Sequence, residues 1–302
     1  MKKILIFSSL CKDKSILELA LPSWLHQKRE GLKMDLLLYN DNSNKEAFEF
    51  TNAFVAQHAA VSLLPSIFSE KSNYKDHVWK SASFDRIIAI KNTAIDYALA
   101  HDYDALFLVD ADLVLHPQTL YHLAALNKDF VFEIFWTVFT DQLFAKPNCW
   151  DVHSWDYYNA DSILKLKEPG TYKVGAGGAC TLLSKKAMQA GVHFSKIKNM
   201  PFGGEDRHIC TRAEVLGIDI HIDTHFPAFH IFNSSLIPQA QEWIKRGHSR
   251  DYFEPWLDAA WRSHVIAYTK PAVIFVPQHK LEKLKMALYK AKRAYINYMR
   301  YH

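Results

Sequence analysis

Leu106-Phe107-Leu108-Val109-Asp110-Ala111-Asp112 carries an apolar run straight into two carboxylates separated by one small residue. A short run of branched and aromatic side chains has the signature of a buried strand. Its end delivers Asp110 and Asp112 to the edge of a sheet, and in extended backbone residues i and i+2 point the same way. Two carboxylates on one side of a strand end repel each other unless positive charge lies between them. Mg²⁺ and Mn²⁺ are hard cations that prefer such oxygen ligands. Taken alone, the pair fits a divalent-metal site and two solvated turn aspartates equally well.

The elements that must position this pair are legible in the pattern. Residues 4–9 read as a first strand ending in Ser8 and Ser9, and 36–39 as a second ending in Asn40-Asp41-Asn42-Ser43. Polar clusters directly after buried strands are where open α/β sheets bind ligands, although the same residues also favour plain turns. Segments 16–27, 45–58 and 84–100 read as helices, the last with Ile87, Ile88, Ala94, Ile95 and Ala98 on one face. Arg86, Lys91 and Asn92 interrupt that apolar pattern just ahead of the Asp-x-Asp strand. Basic residues there suit a diphosphate, or an ordinary solvated surface. Residues 61–64 read as a third strand, Pro117 opens a short helix over 118–126, and 129–135 returns to strand.

Downstream, 135–158 is crowded with aromatics, among them Phe135, Trp136, Trp150 and Trp155. Such rings stack on the apolar faces of sugars, and they equally cover a core from a long loop. Gly175, Gly177 and Gly178 do not form G-x-G-x-x-G; they let backbone approach a ligand or another strand closely. Phe202-Gly203-Gly204-Glu205-Asp206 opens a helix that stops at Gly217. Acids at a helix start also simply suit the helix dipole. A strand over 219–223, with Ile218, Ile220 and Ile222 alternating with polar residues, leads towards His225 and His230.

Composition bounds the remaining readings. At 302 residues and 49% hydrophobic, the chain has room for one large α/β domain and an appendage. The net charge of +4 is too small to argue for nucleic acid. It is also unevenly placed: 280–302 holds Lys280, Lys283, Lys285, Lys290, Lys292, Arg293 and Arg300 against Glu282 alone, so the body is near neutral. The four cysteines are scattered, with no Cys-x-x-Cys, which argues against a zinc module or disulfide framework and fits a reducing compartment. The apolar start is short and broken by Lys12, Asp13 and Lys14, unlike a signal peptide, and no run approaches a membrane span. A cytoplasmic protein is expected. The basic, tyrosine-rich segment 279–302 suits lying on an anionic membrane face, or packing on a partner subunit. Nucleic acid is the less favoured partner.

In order and spacing, these pieces resemble the glycosyltransferases of the A-type nucleotide-sugar fold, including the large inverting family 2 group, over residues 3–235. The resemblance implies an α/β fold, a mixed, mainly parallel sheet sandwiched by helices, with 236–302 as a helical, basic C-terminal extension. It implies that Ser8, Ser9 and Asp41 hold the donor's base and ribose. Lys91-Asn92 looks like the family's Arg-Asn element, with Arg86 nearby on the diphosphate. A lysine cannot make the bidentate contact of an arginine. By the same resemblance, Asp110 and Asp112 share ribose and metal. The stretch from Gly203 to Phe232 is similar to the polypeptide N-acetylgalactosaminyltransferases. That match makes His230 the third metal ligand and His225 a reserve, with Phe229 departing from the family's glycine. The β-galactosyltransferases carry Gly-Gly-Glu-Asp with the aspartate at the acceptor. Asp206 is therefore the expected base, with Gly204, Glu205, Gly177 and Trp136 on the acceptor side.

The implied activity is metal-dependent transfer, with Mn²⁺ or Mg²⁺, from a UDP- or GDP-sugar to a hydroxyl of a glycan or lipid-linked acceptor. An acid at 206 favours inversion. The rivals are a retaining transferase and an inactive nucleotide-sugar-binding scaffold. A nucleotidyltransferase is disfavoured because Ser8-Ser9-Leu10-Cys11-Lys12 lacks that class's glycine-rich basic signature.

Overall fold

The computed structural model describes residues 1–72, 81–138, 145–152, 160–200, 204–258, 287–288 and 291. Its first half alternates strand and helix. β1 (Lys2–Leu10) leads to α1 (Lys14–Leu25), β2 (Leu32–Asn40) to α2 (Lys45–Gln57), then β3 (Val61–Leu63), α3 (Ser81–Ala100) and β4 (Ala105–Leu108). β5 (Leu113–Val114), α4 (Thr119–Ala125) and β6 (Phe130–Val138) follow. Next come β7 (Ala145–Pro147), β8 (Cys149–Trp150), α5 (Ala160–Lys167), β9 (Thr171–Lys173), β10 (Ala176–Gly177), β11 (Thr181–Ser184) and α6 (Lys185–Gln189). α7 (Glu205–Val215), β12 (Ile220–His230) and α8 (Ile237–Lys245) close the described body, with 3-10 turns at Ser234–Leu236 and Arg250–Phe253.

The main sheet runs β3-β2-β1-β4-β11-β6-β12-β5. β1 pairs in parallel with β2 and β4, β2 with β3, and β6 with β12, while β11 enters antiparallel between β4 and β6. A strand flanked on both sides and covered on both faces must be apolar throughout, which is why β1 and β4 read as unbroken greasy runs. Alternation along β4 sends Leu106 and Leu108 into one core layer and Phe107 and Val109 into the other. Residues of α3, α6 and α7 fill the first layer, and residues of α1, α2 and α4 fill the second. The expected mixed α/β sandwich is the fold observed.

Two features set the edge that matters. The segment after Asp112 rests on α1: Trp24 Nε1–H donates to the Leu113 carbonyl at 2.9 Å, Ser23 Oγ accepts from Leu115 N at 3.0 Å, and Gln27 accepts from Leu120 N at 2.9 Å. β12 also runs on past the expected end at 223. Its pairing with β6 slips between Asp223 and Ala228, a bulge that absorbs Pro227, and the strand resumes antiparallel to β5 with His230 opposite Leu113. Proline inside the run hides this continuation from a pattern reading.

The chain divides into compact units Met1–His264 and Val265–His302. The break thus falls after 264 and not at the expected 235. The reason is Phe229, fully buried, whose ring lies 5.8 Å from Trp243, 6.0 Å from Phe253 and 5.3 Å from Trp256. The basic segment 279–302 lies outside the described residues apart from 287, 288 and 291. Among the described residues, no helix is long and apolar enough to cross a membrane.

Candidate active site

Asp112 is 4% exposed and leaves the sheet edge between β4 and β5. The Ile231 amide donates to its carbonyl at 2.8 Å, which ties the end of β12 to it. His230 Nε2 consequently lies 3.4 Å from Asp112 Oδ2. The other imidazole nitrogen, Nδ1, is 3.0 Å from Thr137 Oγ1. With a cation bound, Nδ1–H donating to that hydroxyl would leave the Nε2 lone pair for the ion, as metal-binding histidines are oriented, whereas without one Nε2–H donates to Asp112. Lys12, just beyond β1, places Nζ 2.7 Å from the same Oδ2. Burial would raise the Asp112 carboxyl, but Lys12 and His230 override it and hold it well below the usual carboxylate range.

Asp110 is the more open member, 51% exposed at its side chain, and stands 3.9 Å from Lys91 Nζ. Enclosure by protein, with Asp112 and Glu205 adding negative charge, lifts its carboxyl despite Lys91. Asp110 and Lys91 line a small cleft together with Ser8, Ser9 and Ile87. Ser8 is 1% exposed and its hydroxyl finds no hydrogen-bond partner among the described residues.

The start of α7 meets this cleft through Lys91. Gly204 caps α7 at φ +97°, a backbone state that side chains disfavour. Lys91 Nζ donates to Glu205 Oε1 at 2.7 Å and lies 3.9 Å from Asp206 Oδ1. Burial alone would raise Glu205, but the Lys91 ammonium brings it below its ordinary value. Asp206 is pushed up to about 8, first by burial and then by the neighbouring Glu205 charge, with Lys91 opposing. Burial would lower the Lys91 ammonium, yet the three acids around it hold it above its usual range. Two adjacent acids thus acquire opposite characters.

Several expected positions need correction. Trp136 is 1% exposed on β6, paired with Pro147 of β7, so its ring is core and has no face for a sugar. Gly177 packs against Phe132, whose ring a Cβ would meet at 2.7 Å. The glycine that serves the site is Gly178, where any Cβ would collide with the Asp206 carboxylate. Arg86 does not stand at the Asp-x-Asp edge. It grips Asp41 through Nε at 2.8 Å and through Nη2, donates to the Glu70 carbonyl at 2.6 Å, and lies over Phe68. Asp41, 2% exposed, is committed to that pair and to the Ser72 amide at 3.2 Å. Asn92 bonds Phe194 N and Ser195 Oγ, stitching α3 to the segment before α7, not to the Asp-x-Asp loop. His225 belongs to Asp223 and His122, away from Asp112. Lys12, Thr137 and Gly178 had no distinguishing signal in sequence, since each is defined only by what folding brings next to it.

The donor set at Asp112 suits a divalent cation. A carboxylate oxygen and an imidazole nitrogen 3.4 Å apart match adjacent ligands of one ion, whose bonds of about 2.0–2.2 Å give separations of about 3 Å. Asp110 stands beside them, and the Lys12 ammonium shares the same oxygen.

No protein-family model matches the chain, and no curated protein sequence matches it. Solved structures do. GalNAc-T7, crystallised with UDP, GalNAc and Mn²⁺, aligns with a TM-score of 0.50 at 12% identity, over 76% of this chain and 44% of that one. The fold is GT-A-like. TarS 1-349 from S. aureus aligns at TM-score 0.49 and 10% identity over 90% of this chain and 76% of its own. A197 from STIV aligns at 0.39 and 14% over 76% and 85%. At such identities the likeness is one of fold, and the chain spans well under the length of GalNAc-T7. The Asp-x-Asp edge and the start of α7 are linked through Lys91, whose Nζ lies 3.9 Å from Asp110 and 2.7 Å from Glu205.

Proposed function

We propose that the protein is a metal-dependent glycosyltransferase, moving a sugar from a nucleotide-diphosphate sugar to a hydroxyl of a glycan or lipid-linked acceptor. The observation that carries this reading is the meeting of Asp110, Asp112 and His230 with the Lys91–Glu205–Asp206 group, residues drawn from two stretches of the chain, 91–112 and 205–230. Asp112 and His230, with Asp110 beside them, would hold Mn²⁺ or Mg²⁺. Such an ion neutralises charge gathering on a diphosphate leaving group. Lys12 adds a fixed positive charge at the same edge. Ser8 and Ser9 line the cleft beside Asp110, and the buried unpaired Ser8 hydroxyl is available to a donor's polar atoms. GalNAc-T7 was crystallised with UDP and Mn²⁺, which supports this class of donor and ion here.

On the acceptor side, Asp206 is the base. The sugar C1–O bond to the diphosphate breaks, C1 bonds to the acceptor oxygen, and the hydroxyl proton passes to Asp206. A carboxylate of raised proton affinity is suited to that transfer near neutral pH. Glu205, held ionised by Lys91, orients the acceptor and does not compete for the proton. Attack from the α7 side, opposite the diphosphate, gives inversion. Purified protein incubated with UDP- and GDP-sugars and an acceptor panel tests this. NMR of the product should show the anomeric configuration opposite to the donor's. Asp206→Asn should lower kcat by about 10²–10⁴-fold. Retained configuration, or a variant as active as wild type, rules out the assignment of Asp206.

A second reading rests on Lys12, whose ammonium sits 2.7 Å from Asp112 and can itself stand for the cation. It predicts transfer that survives EDTA and is lost in Lys12→Met. We place the protein in the cytoplasm, with the basic 279–302 segment directed at an anionic membrane carrying the acceptor; its charge pattern is the support.

A further inference from the structure

The bulge that lets β12 reach Asp112 also builds a second cluster, which sugar transfer does not use. Asp223 is the last residue of the β12–β6 register before the slip, opposite Glu133, and both are fully buried. His122, from α4, brings Nε2 to 3.3 Å from Asp223 Oδ2, and His225 Nδ1 lies 3.0 Å from the same oxygen. All three ligand atoms lie within 4.8 Å of one another. A tetrahedral ion with bonds of about 2.0–2.1 Å to imidazole and carboxylate separates its ligands by about 3.3 Å. Little movement would therefore seat an ion among them.

A simple hydrogen-bonded trio accounts for Asp223 but not for Glu133. Glu133 Oε1 accepts from the Phe226 amide at 3.3 Å, whereas Oε2 is buried and has no hydrogen-bond partner among the described residues. Arg250, a cation that acts on Glu133, is bonded to the backbone carbonyls of Thr224 and Lys167. Two buried carboxylates on adjacent strands, one with an orphaned oxygen, are missing positive charge.

We propose that His122 Nε2, His225 Nδ1 and Asp223 Oδ2 form a zinc-binding site, with Glu133 as the carboxylate behind it, that clips α4 to the bulged middle of β12. Two imidazoles select zinc over Mg²⁺, which prefers oxygen ligands. The supporting contacts are in place: the His225 amide donates to Asp223 Oδ1 at 3.0 Å, and Thr171 Oγ1–H donates to Oδ2 at 2.7 Å. Entry is open, because the His122 and His225 side chains are 25% and 35% exposed. The site is distinct from the Asp112 edge: its ligand atoms gather around Asp223, before the slip, whereas His230 meets Asp112 beyond it, where β12 pairs with β5.

The test is a Zn²⁺ titration of tag-free, metal-stripped protein in excess Mg²⁺, against a chromophoric chelator. Wild type should take up one equivalent more than His122→Gln/His225→Gln does. His122→Gln and His225→Gln should each weaken uptake by roughly 100-fold, while His101→Gln, an exposed histidine outside both sites, binds as wild type does. At zinc 100-fold above its Kd, the wild-type Tm should rise by roughly 5–10 °C. Co²⁺-loaded wild type should give the intense visible bands of a four-coordinate site, a readout that needs no variant to fold. No uptake by wild type, equal uptake by His122→Gln/His225→Gln, or a six-coordinate Co²⁺ spectrum overturns the proposal.

Discussion

Glu205 and Asp206 are chemically near-identical neighbours, and the fold separates them by 1.2 Å in their distance to one ammonium, 2.7 Å against 3.9 Å from Lys91 Nζ. Asp206, raised to about 8, is mostly protonated at neutral pH and becomes a base as pH climbs through that value. The pH profile of kcat/KM should therefore rise with unit slope below pH 8 and level off above it. A flat profile from pH 6 to 9 would remove Asp206 from the base role. Lys91 is 7% exposed, so Lys91→Met strands a buried carboxylate. It should destabilise by about 3–5 kcal/mol and lower Tm by roughly 6–20 °C. Adding Glu205→Gln should recover much of that loss, and a double variant no more stable than Lys91→Met would show that the pair is not the cause. At this scale the sequence was informative where chemistry is carried by spacing, as with Asp110 and Asp112. It was silent where chemistry is carried by encounter. Nothing in Leu10-Cys11-Lys12 announces that Lys12 will meet Asp112, or in Val174–Cys180 that Gly178, not Gly177, will lie against Asp206.

At the scale of elements, α1 and β12 act as the two supports of the Asp-x-Asp edge. Trp24, Ser23 and Gln27 on α1 satisfy backbone groups of residues 113–120, and β12 brings His230 alongside by pairing with β5. Trp24→Phe removes one buried donor from the Leu113 carbonyl and should cost about 1–3 kcal/mol. It should also weaken metal-dependent donor binding, because the strand carrying Asp112's neighbour loosens. Unchanged binding and an unchanged denaturation midpoint would show that α1 does not brace the site. The helices were legible because their apolar faces repeat at helical spacing, and β1 and β4 because they are apolar throughout. The end of β12 was not, because Pro227 breaks the alternation and the bulge restores pairing only through β5. Trp136 illustrates the same limit: an aromatic-rich stretch suits a sugar platform or a core, and burial, which sequence does not display, decides for the core.

For the whole molecule, a GT-A-like sheet gathers at one edge groups from β1, α3, β4, α7 and β12, and what that edge binds decides its role. If it is a donor site, the basic segment 279–302 has a separate task. Reversing Lys283, Lys285, Lys290 and Lys292 to Glu should abolish sedimentation with anionic vesicles and spare turnover on a soluble acceptor; undiminished sedimentation would detach the segment from any membrane role. The most direct measurement is calorimetric titration of UDP and GDP into wild type and Asp112→Asn, each with Mn²⁺ and with EDTA. One nucleotide should bind wild type with Mn²⁺, EDTA should abolish the heat, and Asp112→Asn should show none while its unfolding remains cooperative. Binding that is equal in EDTA and in Asp112→Asn, or no binding of either nucleotide by wild type with Mn²⁺, would contradict a donor site at this edge.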